Sequence, residues 1–111
     1  MSNDIAPFLM SEHAGSFSLL LVDFDSGAAV FEAKGYECGG YAWHGVADSL
    51  MRLRAPHLLD RIQFDPEGSM FAAHGPDRDA LEELGRVLKA ALDDHDLLRT
   101  AIENADPELM L

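Results

Sequence analysis

The sequence predicts an α+β fold in which two β-hairpins form an antiparallel or mixed sheet with helices packed on one face. Apolar runs of strand length occur in two pairs, 17–25 with 28–33 and 62–64 with 70–73, each pair joined by turn residues. Three other segments place apolar residues at helical spacing. The predicted order is β-β-α-β-β-α-α. With 111 residues we expect one domain, comprising an N-terminal arm over 1–15 and a core over 16–106.

The first hairpin is predicted from Phe17–Asp25 and Ala28–Ala33, with Asp25-Ser26-Gly27 as its turn. The unbroken apolar run Leu19–Val22 indicates a strand buried on both faces. Asp23 and Asp25 would share one face of that strand, where two carboxylates could bind a metal or transfer protons. Aspartates beside a Ser-Gly turn are more typical of turn formation, and we favour that interpretation.

The segment Gly35–Trp43 contains three glycines, both tyrosines and the only tryptophan. It follows predicted strands and precedes a helical pattern, so it predicts a strand-to-helix elbow. Glycines at such a turn allow unusual backbone angles, and the aromatic side chains fill the adjacent core. The order Gly-x-x-x-Gly-Gly matches neither the dinucleotide-binding nor the P-loop motif, so we expect no phosphate site here.

The first helix is predicted from Gly40 or Tyr41 to Leu53, with residues 56–60 as a loop or short turn. Its buried stripe is predicted to comprise Trp43, Val46, Ala47, Leu50 and Met51. Its solvent face is predicted to comprise His44, Asp48, Ser49 and Arg52. In the second hairpin, Asp65–Ser69 forms the turn, with Pro66 and Glu67 exposed at its tip.

The last third of the chain predicts two helices. The first begins after Pro76, with Asp77 as its cap or with Asp79 and Glu82 as a capping box. Its buried stripe is predicted to comprise Leu81, Leu84, Leu88, Ala91 and Leu92. Asp93–Asp96 interrupts the pattern and starts the second helix, which Pro107 ends. Residues 77–108 contain ten acids and four bases, so these helices are predicted to present an acidic outer face.

The formal net charge of −12 constrains the possible partners. Such a surface repels phosphate backbones and anionic lipids, so we expect neither nucleic acid nor membrane binding. It would instead steer a basic protein toward the chain. A single cysteine excludes an internal disulfide. The N-terminus has no positive region and the longest apolar run is Leu19–Val22, so we expect neither a signal peptide nor a membrane span. These observations predict a cytoplasmic protein.

No catalytic or metal-binding pattern emerges, and we expect neither an enzyme nor a cofactor. The five histidines fall in separate elements, and no two share a metal-binding spacing within a helix. Cys38 lies among glycines without a signature of a nucleophilic thiol, and no Gly-x-Ser-x-Gly motif is present. A hydrolase using Asp23, Asp25 and Cys38 is the weakest functional hypothesis.

The pattern Gly35-Tyr36-x-x-x-Gly40-Tyr41-x-Trp43, at the start of a helix and after two strands, resembles the signature of immunity protein family 51. The downstream run from Phe64 to Phe71, followed by two acidic helices, is similar to the second half of that family. The resemblance covers about residues 17–105 and implies a non-catalytic protein of bacterial polymorphic toxin systems. Such a protein binds and inhibits the toxin encoded beside it.

The resemblance implies a toxin as partner, and the acidity suggests a basic one, such as a nuclease. Candidate motif and partner-binding residues are Gly35, Tyr36, Glu37, Gly40, Tyr41, Trp43, Glu67, Glu82, Glu83, Asp93 and Asp94. An alternative is a ligand-binding or regulatory module in which Tyr36, Tyr41 and Trp43 line an apolar pocket. The uncovered sheet face and edges also suggest a homodimer.

Overall fold

The structure, a computed structural model, describes residues 5–110 and confirms the α+β class. Its strands are β1 (Leu9–His13), β2 (Ser16–Leu21), β3 (Gln63–Phe64) and β4 (Phe71–Gly75). Its α-helices are α1 (Ala28–Ala33), α2 (Gly40–Arg54), α3 (Arg78–Asp93) and α4 (His95–Glu103). The order β-β-α-α-β-β-α-α contains one helix more than predicted. The first four residues of the predicted arm lie outside the described residues.

The sheet is antiparallel throughout, with strand order β1-β2-β4-β3. The first hairpin is therefore formed by β1 and β2, and β1 lies within the segment predicted as an arm. Ala14 and Gly15 connect the two strands, and both have positive φ, 55° and 82°. Two residues with positive φ are typical of a tight hairpin turn whose twist matches that of the strands.

The prediction that Ala28–Ala33 is a strand is wrong, because these residues form α1. Three alanines and Glu32 are strong helix formers, and they outweigh the strand preference of Val30 and Phe31. The preceding residues Asp25–Gly27 form a 3₁₀ turn, and the Asp25 N–H donates to Asp23 Oδ1 at 3.1 Å. Turn formation by these aspartates is confirmed. The elbow is consequently a helix-to-helix connection rather than a strand-to-helix one.

Helices α2 and α3 cover one face of the sheet. On that face Leu19, Leu21, Phe71 and Ala73 are fully buried. Side chains at alternate positions of β2, such as Leu20, remain partly exposed. The prediction that Leu19–Val22 is buried on both faces is therefore wrong. Within residues 5–110, helices cover only one face of the sheet, as the sequence predicts.

Helix α2 confirms the predicted boundaries and the predicted buried stripe. Two of its predicted solvent-facing residues are not free in water. Ser49 is fully buried, and it lies one turn after Gly45 on the helix face that Met110 and Ala105 approach. His44 is half-buried, its ring stacks on Phe64 at a centroid distance of 4.6 Å, and burial lowers its pKa.

The remaining elements largely follow the sequence. Pro56–Leu58 forms a 3₁₀ turn, the second hairpin is present, and the predicted apolar stripe of α3 is buried. Asp77 caps α3 by accepting a hydrogen bond from the Ala80 N–H at 3.3 Å, so the alternative capping box at Asp79 does not start the helix. Asp94 ends α3 and caps α4, as the interrupted pattern predicted.

Candidate functional site

The connection between α1 and α2 requires a sharp reversal of the chain. Gly35 has φ of 88°, a left-handed conformation that a side chain disfavours. The N–H of Tyr36 donates to the Phe31 carbonyl at 3.0 Å, which fastens the connection to the end of α1. The reversal brings Tyr36 and Glu37 next to the beginning of α2. Gly35 is thus an architectural residue of the site.

Gly39 and Gly40 hold the beginning of α2 against the loop of the second hairpin. The Gly40 N–H donates to the Gly68 carbonyl at 3.3 Å. A Cβ atom on Gly40 would overlap the carbonyl oxygens of Glu67 and Met70, and one on Gly39 would lie 2.6 Å from the Gly68 oxygen. Only glycine allows this approach of two backbones. The approach places the Glu67 loop beside the tyrosines.

The aromatic residues of the connection separate into buried and accessible members. Trp43 is fully buried, with its ring 5.6 Å from that of Phe8 and 5.4 Å from that of Phe31. Tyr36 packs against the core from a partly exposed position, and 42% of Tyr41 is exposed. Trp43 therefore stabilises the fold, while the two tyrosines remain available for contact.

The tyrosines line an open depression of about 550 Å³, which we call the tyrosine groove. Its lining comprises Gly35, Tyr36, Glu37, Cys38, Gly39, Tyr41, Ala42, Gly68 and Met110. Four of the predicted site residues, Gly35, Tyr36, Glu37 and Tyr41, thus come together. Met110 reaches the groove from the other end of the chain and supplies an apolar wall.

A second depression, the acidic cleft, adjoins the tyrosine groove and shares Glu37 and Cys38 with it. Its lining comprises Val22, Asp23, Phe24, Asp25, Ala28, Glu32, Glu37 and Cys38, around about 640 Å³. The four carboxylates are exposed, and within residues 5–110 none lies within ion-pair distance of a base. Val22 adds an apolar side chain that is 57% exposed.

Cys38 forms the boundary of the two depressions but is not an activated nucleophile. Its thiol donates to the Phe24 carbonyl at 3.5 Å. The thiol pKa is raised to about 11, mainly by burial and to a smaller extent by the negative charges of Glu32 and Asp25. The nearby Trp43 indole N–H opposes this effect, although it makes no well-aligned hydrogen bond among the described residues. The thiol is protonated at neutral pH, which disfavours the hydrolase hypothesis.

The four predicted helix acids lie on α3 and at the α3–α4 junction, apart from the two depressions. Glu82 lies 3.2 Å from Arg78, and Asp93 lies 3.4 Å from Lys89. Glu83 is 2.8 Å from the His57 ring nitrogen. Asp94 accepts the N–H groups of Asp96 and Leu97 at 3.1 and 3.4 Å as the cap of α4. All four acids therefore have local structural partners.

The sequence model of one family, described as immunity protein 51, matches residues 8–107. The chain belongs to the immunity protein 51 family. The match extends from the beginning of β1 to the last 3₁₀ turn, Pro107–Met110, so it includes both depressions except Met110. It confirms the resemblance drawn from the Gly-Tyr pattern. No curated protein and no solved structure matches the chain.

Membership of the immunity protein 51 family gives the chain a toxin-neutralising role at the level of the family. Immunity families are generally non-catalytic. Within residues 5–110, no group of three or more His, Cys, Asp or Glu side chains is arranged to hold a metal ion. No helix among these residues is long and apolar enough to cross a membrane.

Sequence reasoning missed part of this site. The sequence predicts a strand at Glu32, and it favours turn formation over metal or acid–base chemistry for Asp23 and Asp25, without a role in partner binding. The alanine-rich composition of Ala28–Ala33 is the signal that would have placed Glu32 on a helix. The contribution of Met110 had no local signal, because it depends on the packing of the C-terminal 3₁₀ turn against Gly45.

Proposed function

We infer that this chain is a non-catalytic immunity protein that neutralises a cognate bacterial toxin by binding it with the acidic cleft and the tyrosine groove. The protein would act in the cytoplasm of the producing cell, as part of a polymorphic toxin system. Family membership supports the toxin-neutralising role. The observation that supports this interface is the set of four carboxylates with no basic neighbour within residues 5–110, beside two accessible tyrosines.

The carboxylates of the acidic cleft suit a basic partner. Asp23, Asp25, Glu32 and Glu37 are exposed around one concave surface, so their fields add along the approach to it. The rest of a chain with net charge −12 reinforces their attraction for cations. A toxin with a basic active site, such as a nuclease, would be drawn to this surface and covered by it.

The tyrosine groove supplies apolar contacts, which are needed for tight binding in addition to electrostatic steering by the carboxylates. Tyr41 is 42% exposed and Val22 is 57% exposed, on the two sides of the shared residues Glu37 and Cys38. Tyrosine is common among the residues that dominate binding energy, because it combines a large apolar area with a hydroxyl group. The two depressions thus pair an apolar anchor with a charged rim. Glu67, exposed on the adjoining loop, would extend that rim.

The experiment that tests this function begins with co-purification of the tagged chain from cells that produce it. Mass spectrometry should identify one stoichiometric partner with a toxin domain. Co-expression of the chain with that domain should then restore growth, and the purified chain should inhibit the toxin at a one-to-one ratio. A toxin domain from the same gene cluster that neither binds the chain nor is inhibited by it would overturn the proposal.

The interface is tested separately with two sets of variants. Changing Asp23, Asp25, Glu32 and Glu37 to amides should abolish or weaken protection. Changing the four helix acids Glu82, Glu83, Asp93 and Asp94 to amides removes the same formal charge and serves as the matched control. Equal loss of protection in both sets would favour a diffuse charge effect over binding at the acidic cleft.

A small-ligand module remains the second candidate because the tyrosine groove has a volume in the range of ligand sites, about 300–1,000 Å³. The ligand hypothesis expects Tyr36, Tyr41 and Trp43 to line one pocket, but Trp43 is buried and does not line the groove. Its indole nevertheless lies beside Cys38, so its emission would report a ligand bound there. Saturable quenching by a metabolite that Tyr41→Ala abolishes would support a ligand module.

A further inference from the structure

The two edges of the sheet differ in how well they are protected against pairing with another strand. At one edge β3 has only two residues, and Asp65 and Pro66 follow it directly. At the other edge β1 has five residues, contains neither proline nor lysine, and pairs only with β2 among residues 5–110. Short strands, charges and prolines are the usual protections of a sheet edge. The edge at β1 has one charged residue, Glu12, and no proline closer than Pro7, so its greater length is what distinguishes it from β3.

The sheet is also the part of the chain with the least charge. The chain carries 28 residues of Asp, Glu, Lys and Arg, yet among those within residues 5–110 only Glu12 lies in a strand. The face opposite the helices is formed by serine, leucine, alanine, glutamine and histidine side chains. Leu9, at the edge, is 54% exposed on that face. A second copy with net charge −12 meets the least repulsion when it approaches there.

We propose that two copies of this chain associate by antiparallel pairing of their β1 strands, which joins the two sheets into one of eight strands. A two-fold axis makes this contact self-complementary, as closed dimers require. Pairing all five residues of β1 with a second β1 places Ser11 opposite Ser11, Leu9 opposite His13 and Met10 opposite Glu12. This register keeps the two Glu12 carboxylates from facing each other, which would be unfavourable.

The contact is small, and the dimer should accordingly be weak. Five residues on each side bury less than the roughly 1,200 Å² of a standard stable interface. We expect a monomer at low micromolar concentration and a dimer at several hundred micromolar. The acidic cleft and the tyrosine groove are formed by residues outside β1, so this association is independent of the proposed toxin interface.

Sedimentation equilibrium of the purified chain alone is the first test. The mass should rise from 12.1 kDa toward twice that value as the concentration increases. Ser11→Glu, which places two carboxylates on the two-fold axis, should weaken association at least tenfold. Gln63→Glu adds the same charge to the opposite edge and should leave association unchanged. A monomer at all concentrations up to 1 mM, or dimerisation weakened only by Gln63→Glu, would overturn the proposal.

Oxidative cross-linking tests the register itself. In Ser11→Cys the two new thiols would face each other at the two-fold axis, at a separation compatible with a disulfide. This variant should form a covalent dimer faster than Gln63→Cys, its matched control. The native Cys38 is half-buried and protonated, so it should contribute little in either variant. Equal rates of cross-linking for the two variants would contradict β1 pairing.

Discussion

The two acidic regions of this protein differ in what their carboxylates contact. The region of α3 and α4 holds the greater number of acids, ten between residues 77 and 108, while the acidic cleft has four. Yet Glu82, Glu83 and Asp93 each lie next to a basic or histidine side chain, and Asp94 caps α4. In the acidic cleft, Asp23 accepts the Asp25 N–H, but none of the four carboxylates has a basic or histidine neighbour among the described residues.

The difference shows that the number of acids in a segment is a poor guide to its electrostatic role. A carboxylate paired with arginine or lysine produces little net field a few ångströms away, whereas unpaired carboxylates around a concave surface reinforce each other. Exposed ion pairs contribute little stability, so α3 and α4 gain mainly local order from theirs. We therefore expect the smaller acidic region to have the larger effect on a basic partner.

The largest effect is expected from neutralising the acidic cleft. With Asp23→Asn, Asp25→Asn, Glu32→Gln and Glu37→Gln combined, the association rate with a basic toxin should fall on the order of tenfold or more at low salt. The difference in association rate between the variant and the unmodified chain should decrease as salt screens the charges of both proteins. Stopped-flow kinetics at several salt concentrations measures it. An unchanged rate at low salt would contradict a steering role for the cleft.

The next comparison is between an accessible and a buried aromatic residue of the same segment. Tyr41→Ala should weaken toxin binding about tenfold, or about 1.4 kcal/mol, with little change in the free energy of unfolding. Trp43→Ala should instead lower the free energy of unfolding by about 3–5 kcal/mol, because it empties a site between Phe8 and Phe31. Urea unfolding and titration calorimetry separate the two effects. A large decrease in the free energy of unfolding of Tyr41→Ala would instead indicate that Tyr41 is a core residue.

A smaller effect is expected from the helix acids. Changing Glu82 and Glu83 to glutamine and Asp93 and Asp94 to asparagine should slow toxin association by at most about twofold, because Arg78 and Lys89 already compensate Glu82 and Asp93. Asparagine at position 94 should retain the cap of α4. The same stopped-flow series measures this set. A loss as large as that of the cleft variant would remove the distinction between the two regions.

The fold was predictable where the periodicity was strong and local. The apolar stripes of α2 and α3 repeat over several turns, and the second hairpin has proline and glycine in its turn. The first hairpin was predicted at the wrong place because Ala28–Ala33 is too short to show a helical period. Strand β1 has no clear period-two pattern in its sequence, and it is recognisable as a strand only by its pairing with β2.

The candidate site was predictable only in part, for a similar reason. The glycines and tyrosines of the connection stood out as rare residues close together, and four of them do line the tyrosine groove. The acidic cleft joins the end of β2, α1 and the connection, so its four carboxylates meet only after folding. Which carboxylates lie next to a basic side chain likewise depends on the three-dimensional structure. Charge alone could not distinguish Glu37 from Glu82.

The smallest predicted effect needs no partner and uses Cys38 as a probe of the acidic cleft. With a pKa of about 11, only about 0.1% of the thiol is ionised at pH 8, so alkylation by iodoacetamide should be slow. Because Asp25 and Glu32 both raise this pKa, Asp25→Asn with Glu32→Gln should lower it and speed alkylation by about twofold. The helix-acid variant should leave the rate unchanged, since its residues do not act on Cys38. Mass spectrometry of the alkylated protein follows the rate across pH 7–10. If both variants reacted at the rate of the unmodified chain, the carboxylates of the cleft would not generate the local field on which steering depends.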